Sequence, residues 1–431
     1  MGKNYRILIG THEIGRQVYD YASGFRALGY NADTFIFSKN QFYSDLAYDY
    51  YTKDVARSKL LLDNDSEVSV FYARQSFDCF LSDYDVYIFL FGSSLLIGNL
   101  DYPLLKKKGK KIIAVFNGDD IRHWSATKPL FEQLNLELPN FYSDSTGPYP
   151  PKASIRNASA HILAMMIEGS AANRLSNKLH TLRMAERYAD VIFTTPSAAG
   201  LSIRPYMHYY NSLDLSLYNF NVPQREIPVV VHAPSDRGIK GTEQILYSLA
   251  QLQLEGVSFE LRLLEKAPNQ EIIRQLEDAD IVIDQLFLPN GGFLSREAMA
   301  SGCAVATRYH PDFSPSSVHP PLWDIGSSNI RERLLELIIN KDLRTKLAEQ
   351  GREFVSKYHD HRLIAQSLIN SLEKNQDSEY DYYPTFFTRN YKLPEGEFIP
   401  SYIKEITKET IQHLGLNDEI RNSLIERELC I

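Results

Sequence analysis

The chain has 431 residues, enough for two or three domains, and its 44% apolar and 23% charged residues are ordinary for a globular protein. The net charge of -8 excludes the basic excess of a nucleic-acid-binding protein and argues against strong binding to anionic lipid. Cys79, Cys303 and Cys430 are too scattered for a disulfide or metal framework. This cysteine pattern favours a reducing cytoplasm, and because the chain has neither a run of about 18 apolar residues nor a signal-peptide pattern, we expect no membrane span.

The first predicted unit is a strand over residues 5–10, a loop over 11–15, a helix over 16–28 and a strand over 32–37. Apolar residues recur at helical spacing in the helix. This β-α-β unit puts its first loop at the carboxyl end of a strand, where open α/β sheets bind ligands. Gly10 and Gly15 lack the spacing of a dinucleotide fingerprint.

Strands over 84–91 and 112–116 follow, with five lysines between Leu104 and Lys111. These lysines could contact anionic lipid headgroups, which would give weak peripheral contact with the inner face of the membrane. The simpler interpretation is a solvated helix end.

The strand over 112–116 runs directly into Asn117-Gly-Asp-Asp-Ile-Arg122. A glycine turn with two carboxylates and an arginine at the carboxyl end of a strand predicts a polar cleft wall. Asp120 and Arg122 could instead pair only to hold the loop.

The middle of the chain is predicted to be irregular over 125–153, helical over 153–188 and extended over 189–194, with a linker over 219–228. A strand over 228–235 then leads into a loop with Arg237 and Lys240, ahead of a helix over 242–254. Two cations beside a helix start suit a diphosphate, because the charges and the free N–H groups act together. The alternative is a pair of ordinary surface cations.

The stretch over 279–306 predicts a strand, a glycine loop, a helix and a second strand. Gly291 and Gly292 form a turn where backbone can approach a ligand closely, and the helix that follows presents free N–H groups that suit a phosphate. Glu297, one turn into that helix, could accept hydrogen bonds from ligand hydroxyls. The plainer alternative is an ordinary α/β loop with a solvated Glu297.

The remaining predicted elements are a strand over 259–264 and helices over 269–277, 330–339, 342–357, 362–372 and 403–414. We expect three parts: an N-terminal Rossmann-like acceptor domain over 1–222, a C-terminal Rossmann-like nucleotide-sugar domain over 223–372, and a helical tail over 373–431.

Three segments together resemble the GT-B glycosyltransferases of the retaining family-4 type: residues 232–242, 279–285 and 291–302. Asn117-Gly-Asp-Asp-Ile-Arg122 and Asn211-Ser-Leu-Asp214 are similar to two further motifs of that family. The resemblance implies two doubly wound parallel sheets that face a central cleft, with the nucleotide-sugar held by the second domain.

The resemblance also implies site residues. Lys240 would neutralise the diphosphate, and Arg237 would replace the family's arginine, whose position is Ser235 here. Glu297 would bind the ribose, whereas its partner glutamate is replaced by Pro289, so Asn290 or a backbone group takes over that contact or activity is altered or lost. The candidate catalytic residues are Lys240, Arg237 and Asp120. The candidate donor-binding residues are Ser235, Lys240, Gly241, Asn290, Gly291, Gly292, Phe293, Leu294 and Glu297.

We therefore predict transfer of a sugar from a nucleotide-diphosphate sugar to a glycan, lipid-linked or other acceptor, with retention and with neither a metal nor a separate cofactor. The cations and backbone amides would stabilise the departing diphosphate. One alternative is a degenerate, non-catalytic GT-B protein that binds sugars or partners through a surface rich in its 27 tyrosines. Another is a sugar-nucleotide epimerase or a phosphorylase of the same fold.

Overall fold

The computed structural model describes residues 5–37, 39–51, 82–138, 175–223, 225–373, 379–385, 391–393 and 398–431. Within these ranges the chain forms two parallel β-sheets flanked by helices, so the predicted pair of doubly wound units is confirmed. Cys79 and the part of the predicted helix over 153–174 lie outside the described residues. None of the described helices is long and apolar enough to span a membrane.

The first sheet has seven strands in the order β3-β2-β1-β4-β5-β6-β7, and the second has five in the order β12-β11-β10-β8-β9. The strands are β1 (Arg6–Thr11), β2 (Asn31–Ile36), β3 (Tyr50–Tyr51), β4 (Val86–Leu90), β5 (Lys111–Val115), β6 (Val191–Thr194), β7 (Met207–His208), β8 (Val229–His232), β9 (Glu260–Leu263), β10 (Ile281–Ile283), β11 (Ala304–Thr307) and β12 (Trp323–Asp324). The strand order reverses beside β1 in one sheet and beside β8 in the other, and such switch points are where open sheets form ligand crevices.

Helices cover both faces of each sheet, and the central strands therefore bury side chains in both directions. In β4, Tyr87 and Phe89 join one core while Ile88 joins the core on the opposite face. In β10, Ile283 and Val282 divide between two cores in the same way. The helices are Gln17–Ala27, Asp101–Lys107, Trp124–Gln133, Leu175–Tyr188, Arg237–Lys240, Thr242–Leu254, Asn269–Leu276, Phe293–Ser301, Ile330–Ile339, Lys341–Tyr358, His361–Glu373, Ser401–Leu414 and Asp418–Glu426.

The irregular structure predicted from residue 125 is wrong at its start, because residues Trp124–Gln133 form a helix with Pro129 inside it. Trp124 and Phe131 are buried edge to face, with ring centroids 5.9 Å apart. Phe131 also packs edge to face on Phe313 of the second unit, at 5.8 Å. This contact between distant parts of the sequence stabilises a helix that local sequence disfavours.

The C-terminal part of the chain returns to the first sheet. Helix His361–Glu373 packs on helix Gln17–Ala27, and a Cβ at Gly24 would lie 2.2 Å from the carbonyl oxygen of His361. Helix Ser401–Leu414 packs on helix Leu175–Tyr188. The predicted helical C-terminal region is thus present, while the exact domain limits stay a prediction.

Candidate functional site

A cavity of about 500 Å³ lies where the carboxyl ends of the two sheets face each other. Its first-sheet wall includes Gly15, Asn117 and Thr195, which follow β1, β5 and β6. Its second-sheet wall includes Ser235 and Gln285, which follow the neighbouring strands β8 and β10. The cavity therefore occupies the position expected for a ligand crevice between two parallel sheets.

Lys240 lines this cavity at the end of a short helix and is held by the two residues that follow β10. Its Nζ donates to Asp284 Oδ1 at 2.5 Å and to Gln285 Oε1 at 3.0 Å. Asp284 is fully buried, and burial by itself raises its pKa. The charge of Lys240 and the hydrogen bonds from Lys240, Ser295 and the Gly292 N–H outweigh burial, so the pKa of Asp284 lies below its usual value. The Asp284 carboxylate is therefore ionised at neutral pH and fixes the Lys240 ammonium group in place.

The diglycine turn lies directly against this ion pair. Asp284 Oδ2 accepts the Gly292 N–H and the Ser295 hydroxyl, each at 2.6 Å. A Cβ at Gly292 would lie 3.0 Å from that oxygen and 3.2 Å from Lys240 Nζ. Gly291 has a φ of 63°, which also favours glycine. The structure thus brings Lys240 and the predicted phosphate turn to one side of one cavity.

Helix Phe293–Ser301 begins at this turn, with Gly292 as its N-cap. Phe293 and Leu294 line the cavity, so the N–H groups of the first helical turn, which have no carbonyl partner within the helix, lie at its wall. The positive end of the helix dipole adds to the charge of Lys240. The cation, the helix dipole and the N–H donors lie at one place, an arrangement that favours an anion such as phosphate.

Glu297 lies in the same helix and also lines the cavity. It is only 7% exposed, so the alternative of a solvated helix residue is wrong. Its Oε1 accepts hydrogen bonds from Asn269 Nδ2 at 2.8 Å and from the Tyr218 hydroxyl at 3.3 Å. Burial raises the pKa of Glu297 above its usual value, while Asn269, Arg16 and Tyr218 lower it in part. A buried carboxylate at a cavity wall is suited to accept hydrogen bonds from ligand hydroxyls.

The structure places Arg237 off the cavity wall, contrary to its predicted role. Its guanidinium lies at the surface and donates to Glu243 Oε1 at 2.7 Å and to Glu265 Oε1 at 2.8 Å. Gly241, with a φ of 72°, packs against Leu286 and does not line the cavity either. Within the single helical turn Arg237–Lys240, Ile239 and Lys240 line the cavity, whereas Arg237 faces the surface carboxylates.

Asp120 does not line the cavity but holds the loop that does. Its carboxylate accepts the N–H groups of Asn117 and Gly118 at 3.1 and 2.7 Å. Burial raises the pKa of Asp120 to about 6, against the lowering effect of these hydrogen bonds. Arg122 pairs with Asp119 at 2.6 Å and not with Asp120, and both Arg122 and Asp119 line the cavity as the predicted polar wall.

Pro289 is buried and is absent from the cavity wall, and its carbonyl accepts the His310 N–H at 3.0 Å. Its neighbour Asn290 does line the cavity. Ser235 lines it as well, beside Ala233 and Pro234, at the position where the resemblance predicted an arginine.

Ionisable residues that sequence reasoning missed also line the cavity, among them Arg296 and His208. Arg296 is 8% exposed and donates through Nη2 to the Asn290 carbonyl at 2.8 Å. Burial and the nearby Arg296 lower the pKa of His208 to about 3, so this imidazole is neutral at pH 7. Arg296 could have been noticed as a charge next to Glu297 in an otherwise apolar helix, whereas nothing around His208 signals a site.

No protein-family model and no curated protein matches the chain. Solved structures do. Sucrose-phosphate synthase from Thermosynechococcus elongatus aligns with a TM-score of 0.53 and 12% identity, over 84% of this chain and 97% of that one. Anabaena HepE, in complex with UDP-glucose, aligns with a TM-score of 0.51 and 13% identity, over 86% and 99% of the two chains.

The chain has the GT-B glycosyltransferase fold. At these identities the likeness establishes the GT-B architecture and leaves the reaction to be argued from the cavity. No group of three or more histidine, cysteine, aspartate or glutamate residues suited to a metal ion occurs among the residues that the structure describes.

Proposed function

We propose that this protein is a glycosyltransferase that moves a sugar from a nucleotide-diphosphate sugar to a glycan, lipid-linked or other acceptor. The observation that supports it is the convergence of Lys240, the Gly291–Gly292 turn and a helix start on one cavity between two GT-B sheets. HepE, which has the same architecture, is seen with UDP-glucose.

In this proposal the diphosphate lies against Lys240 and the N–H groups of the first turn of helix Phe293–Ser301. When the bond between the anomeric carbon and the diphosphate breaks, its electron pair goes to the diphosphate, and negative charge grows there. Lys240 stabilises that charge more strongly in the transition state than in the bound donor, and Asp284 keeps the ammonium positioned. Because protein cations and amides take this role, the reaction is proposed to need no metal. Retention of configuration is what the family resemblance implies.

The nucleoside end is proposed to bind at Glu297, whose carboxylate would accept hydrogen bonds from the ribose hydroxyls. The acceptor would enter along the first-sheet wall, where Phe42, Tyr43 and Phe91 offer rings on which a sugar or lipid-linked acceptor can pack. We propose a cytoplasmic location, consistent with Cys303 and Cys430 being buried, unpaired thiols. Weak peripheral membrane contact stays part of the proposal, although Lys106 and Lys111 both pair with Asp190.

A degenerate, non-catalytic protein of this fold is the second candidate. The specific observation in its favour is that Pro289 is buried with its carbonyl bonded to His310, so no carboxylate reaches the cavity from that position. Such a protein would bind nucleotide-sugars or glycans without turnover.

The test is a thermal-shift and calorimetric screen against UDP, GDP, ADP and TDP, followed by assay of the matching nucleotide-sugars for transfer and hydrolysis. We expect one diphosphate to stabilise the protein, by about 2–3 kcal/mol at a hundredfold excess over its Kd. Binding without sugar release would favour the degenerate protein, and conversion of the sugar to its epimer without an acceptor would favour an epimerase. No binding of any diphosphate would contradict both the glycosyltransferase and the epimerase and would leave only a degenerate protein that binds glycans.

A further inference from the structure

Arg296 is a buried cation on the cavity wall whose hydrogen-bonding capacity is largely unused. Its Nη2 donates to the Asn290 carbonyl, but Nε and Nη1 have no hydrogen-bond partner among the described residues. Its guanidinium carbon lies 5.8 Å from the centre of the Phe354 ring, which offers only a weak cation–π contact. A guanidinium has five N–H donors, and leaving them unpaired in a buried place is costly.

The charge of Arg296 is also without a dedicated partner. Asp284 attracts it from a distance, yet that carboxylate is already bonded to Lys240, Ser295 and Gly292. No carboxylate in the described parts of the chain forms an ion pair with Arg296, which is 8% exposed. Burial lowers the pKa of Arg296 to about 10, so it remains protonated at neutral pH. At the Gly291–Gly292 turn the cavity therefore has two cations, Lys240 and Arg296, and the carboxylate beside this turn, Asp284, is already bonded to Lys240.

Both cations approach the same turn. Lys240 Nζ lies 3.2 Å from the position that a Cβ on Gly292 would occupy, and Arg296 Nη1 lies 3.5 Å from that position on Gly291. The missing side chains leave the backbone of the turn open to a ligand between the two cations. The diphosphate of a nucleotide-sugar carries two negative charges at neutral pH, and one cation already neutralised by Asp284 does not balance them.

We propose that Arg296 is a second residue that binds an oxyanion of the donor, in the role that the sequence had suggested for Arg237. The inference rests on the proposed function and assigns a new residue to it. Arginine suits this place because its planar fork can donate two parallel hydrogen bonds to phosphate or carboxylate oxygens. The oxyanion is a diphosphate oxygen of the donor or a carboxylate on its sugar, and these two sources give different results in the experiment below.

The experiment compares Arg296→Met and Arg296→Lys with the matched control Arg237→Met, which removes an arginine whose guanidinium is satisfied at the surface. Calorimetry measures the affinity for UDP, UDP-glucose and UDP-glucuronate, or for the corresponding GDP, ADP or TDP compounds if the wild type prefers another base. Circular dichroism gives the unfolding midpoint of each ligand-free variant.

We expect Arg296→Met to weaken binding by roughly 10-fold to 100-fold, Arg296→Lys to recover part of this loss, and Arg237→Met to bind as the wild type does. Equal loss for the diphosphate alone and for both sugars identifies a diphosphate oxygen. Loss confined to UDP-glucuronate identifies a sugar carboxylate. Because the buried charge is unpaired without ligand, the unfolding midpoint of ligand-free Arg296→Met should equal or exceed that of the wild type.

Unchanged affinities in both Arg296 variants, with the wild type binding normally, would overturn this inference and leave the proposed function standing. A lower midpoint in ligand-free Arg296→Met together with unchanged affinity in Arg296→Lys would show that Arg296 is structural. Absence of nucleotide binding in the wild type would instead contradict the proposed function itself.

Discussion

Gly15, in the loop after β1, lies directly against the ring of Phe293, the first residue of the helix that lines the second sheet's side of the cavity. A Cβ at Gly15 would come within 2.4 Å of that ring. The two halves of the protein therefore touch through a position that only glycine fits, at the edge of the proposed donor cavity.

This contact predicts that Gly15→Ala destabilises the protein by weakening the packing between its two halves. The φ of Gly15 is 59°, so alanine costs about 1 kcal/mol in backbone strain as well as the clash. The control is Gly29→Ala, where φ is 86° but no atom lies within 4 Å of the added Cβ. We expect Gly15→Ala to lose more stability than Gly29→Ala in urea unfolding. When Phe293 is first replaced by alanine, which removes the ring, Gly15→Ala should lose no more stability than Gly29→Ala does. Equal losses in the two variants would contradict the contact.

Lys240→Met should impair both binding and stability. We expect at least about tenfold weaker diphosphate binding by calorimetry, because the ammonium group is lost. We also expect unfolding to become easier by about 3 kcal/mol, since Asp284 is left buried without its partner. Adding Asp284→Asn should restore most of the stability and none of the affinity. Recovery of affinity in the double variant would exclude Lys240 as a phosphate ligand.

Glu297→Gln should weaken nucleotide binding through the ribose. Calorimetry with the diphosphate that the wild type binds, and with its 2′,3′-dideoxy analogue, separates this contact from the rest of the site. We expect the wild type to prefer the hydroxylated ligand by roughly tenfold and Glu297→Gln to lose most of that preference. If the variant keeps the full preference, Glu297 does not contact the ribose.

Glu13 should make stability depend on pH. Burial raises the pKa of Glu13 to about 7, against hydrogen bonds from Tyr48, Tyr19 and Val18 that lower it. The folded state then holds a proton that the unfolded state has released between about pH 4.5 and 7, so stability falls as pH rises through this range. Unfolding free energies of the wild type and Glu13→Gln, measured from pH 5 to 8, should fall more steeply with pH in the wild type, and the difference between the two curves is the contribution of Glu13. Parallel curves would contradict the prediction.

Local patterns in the chain were enough to predict the two parallel sheets. Buried strands such as Ile281–Ile283 are short apolar runs, and the helices between them show helical spacing, so their order implies a doubly wound architecture. The two-residue strands Tyr50–Tyr51 and Trp323–Asp324 were missed because pairing with a neighbouring strand, more than their own composition, makes them extended. The helix Trp124–Gln133 was missed because Phe313, far away in sequence, stabilises it.

In the candidate site, too, some residues could be predicted from local sequence and others could not. Lys240 and the Gly291–Gly292 turn were predicted from the sequence because each pattern lies within a few adjacent residues. One is a glycine turn next to a helix start, and the other is a cation next to a second helix start. Which of Arg237 and Arg296 reaches the cavity was decided only in three dimensions, since both are arginines next to a predicted phosphate loop. In the short helical turn, Arg237 pairs with carboxylates at the surface. Packing of helix Phe293–Ser301 instead buries Arg296 at the cavity wall. The direction of a side chain depends on what its helix packs against, and no local pattern contains that information.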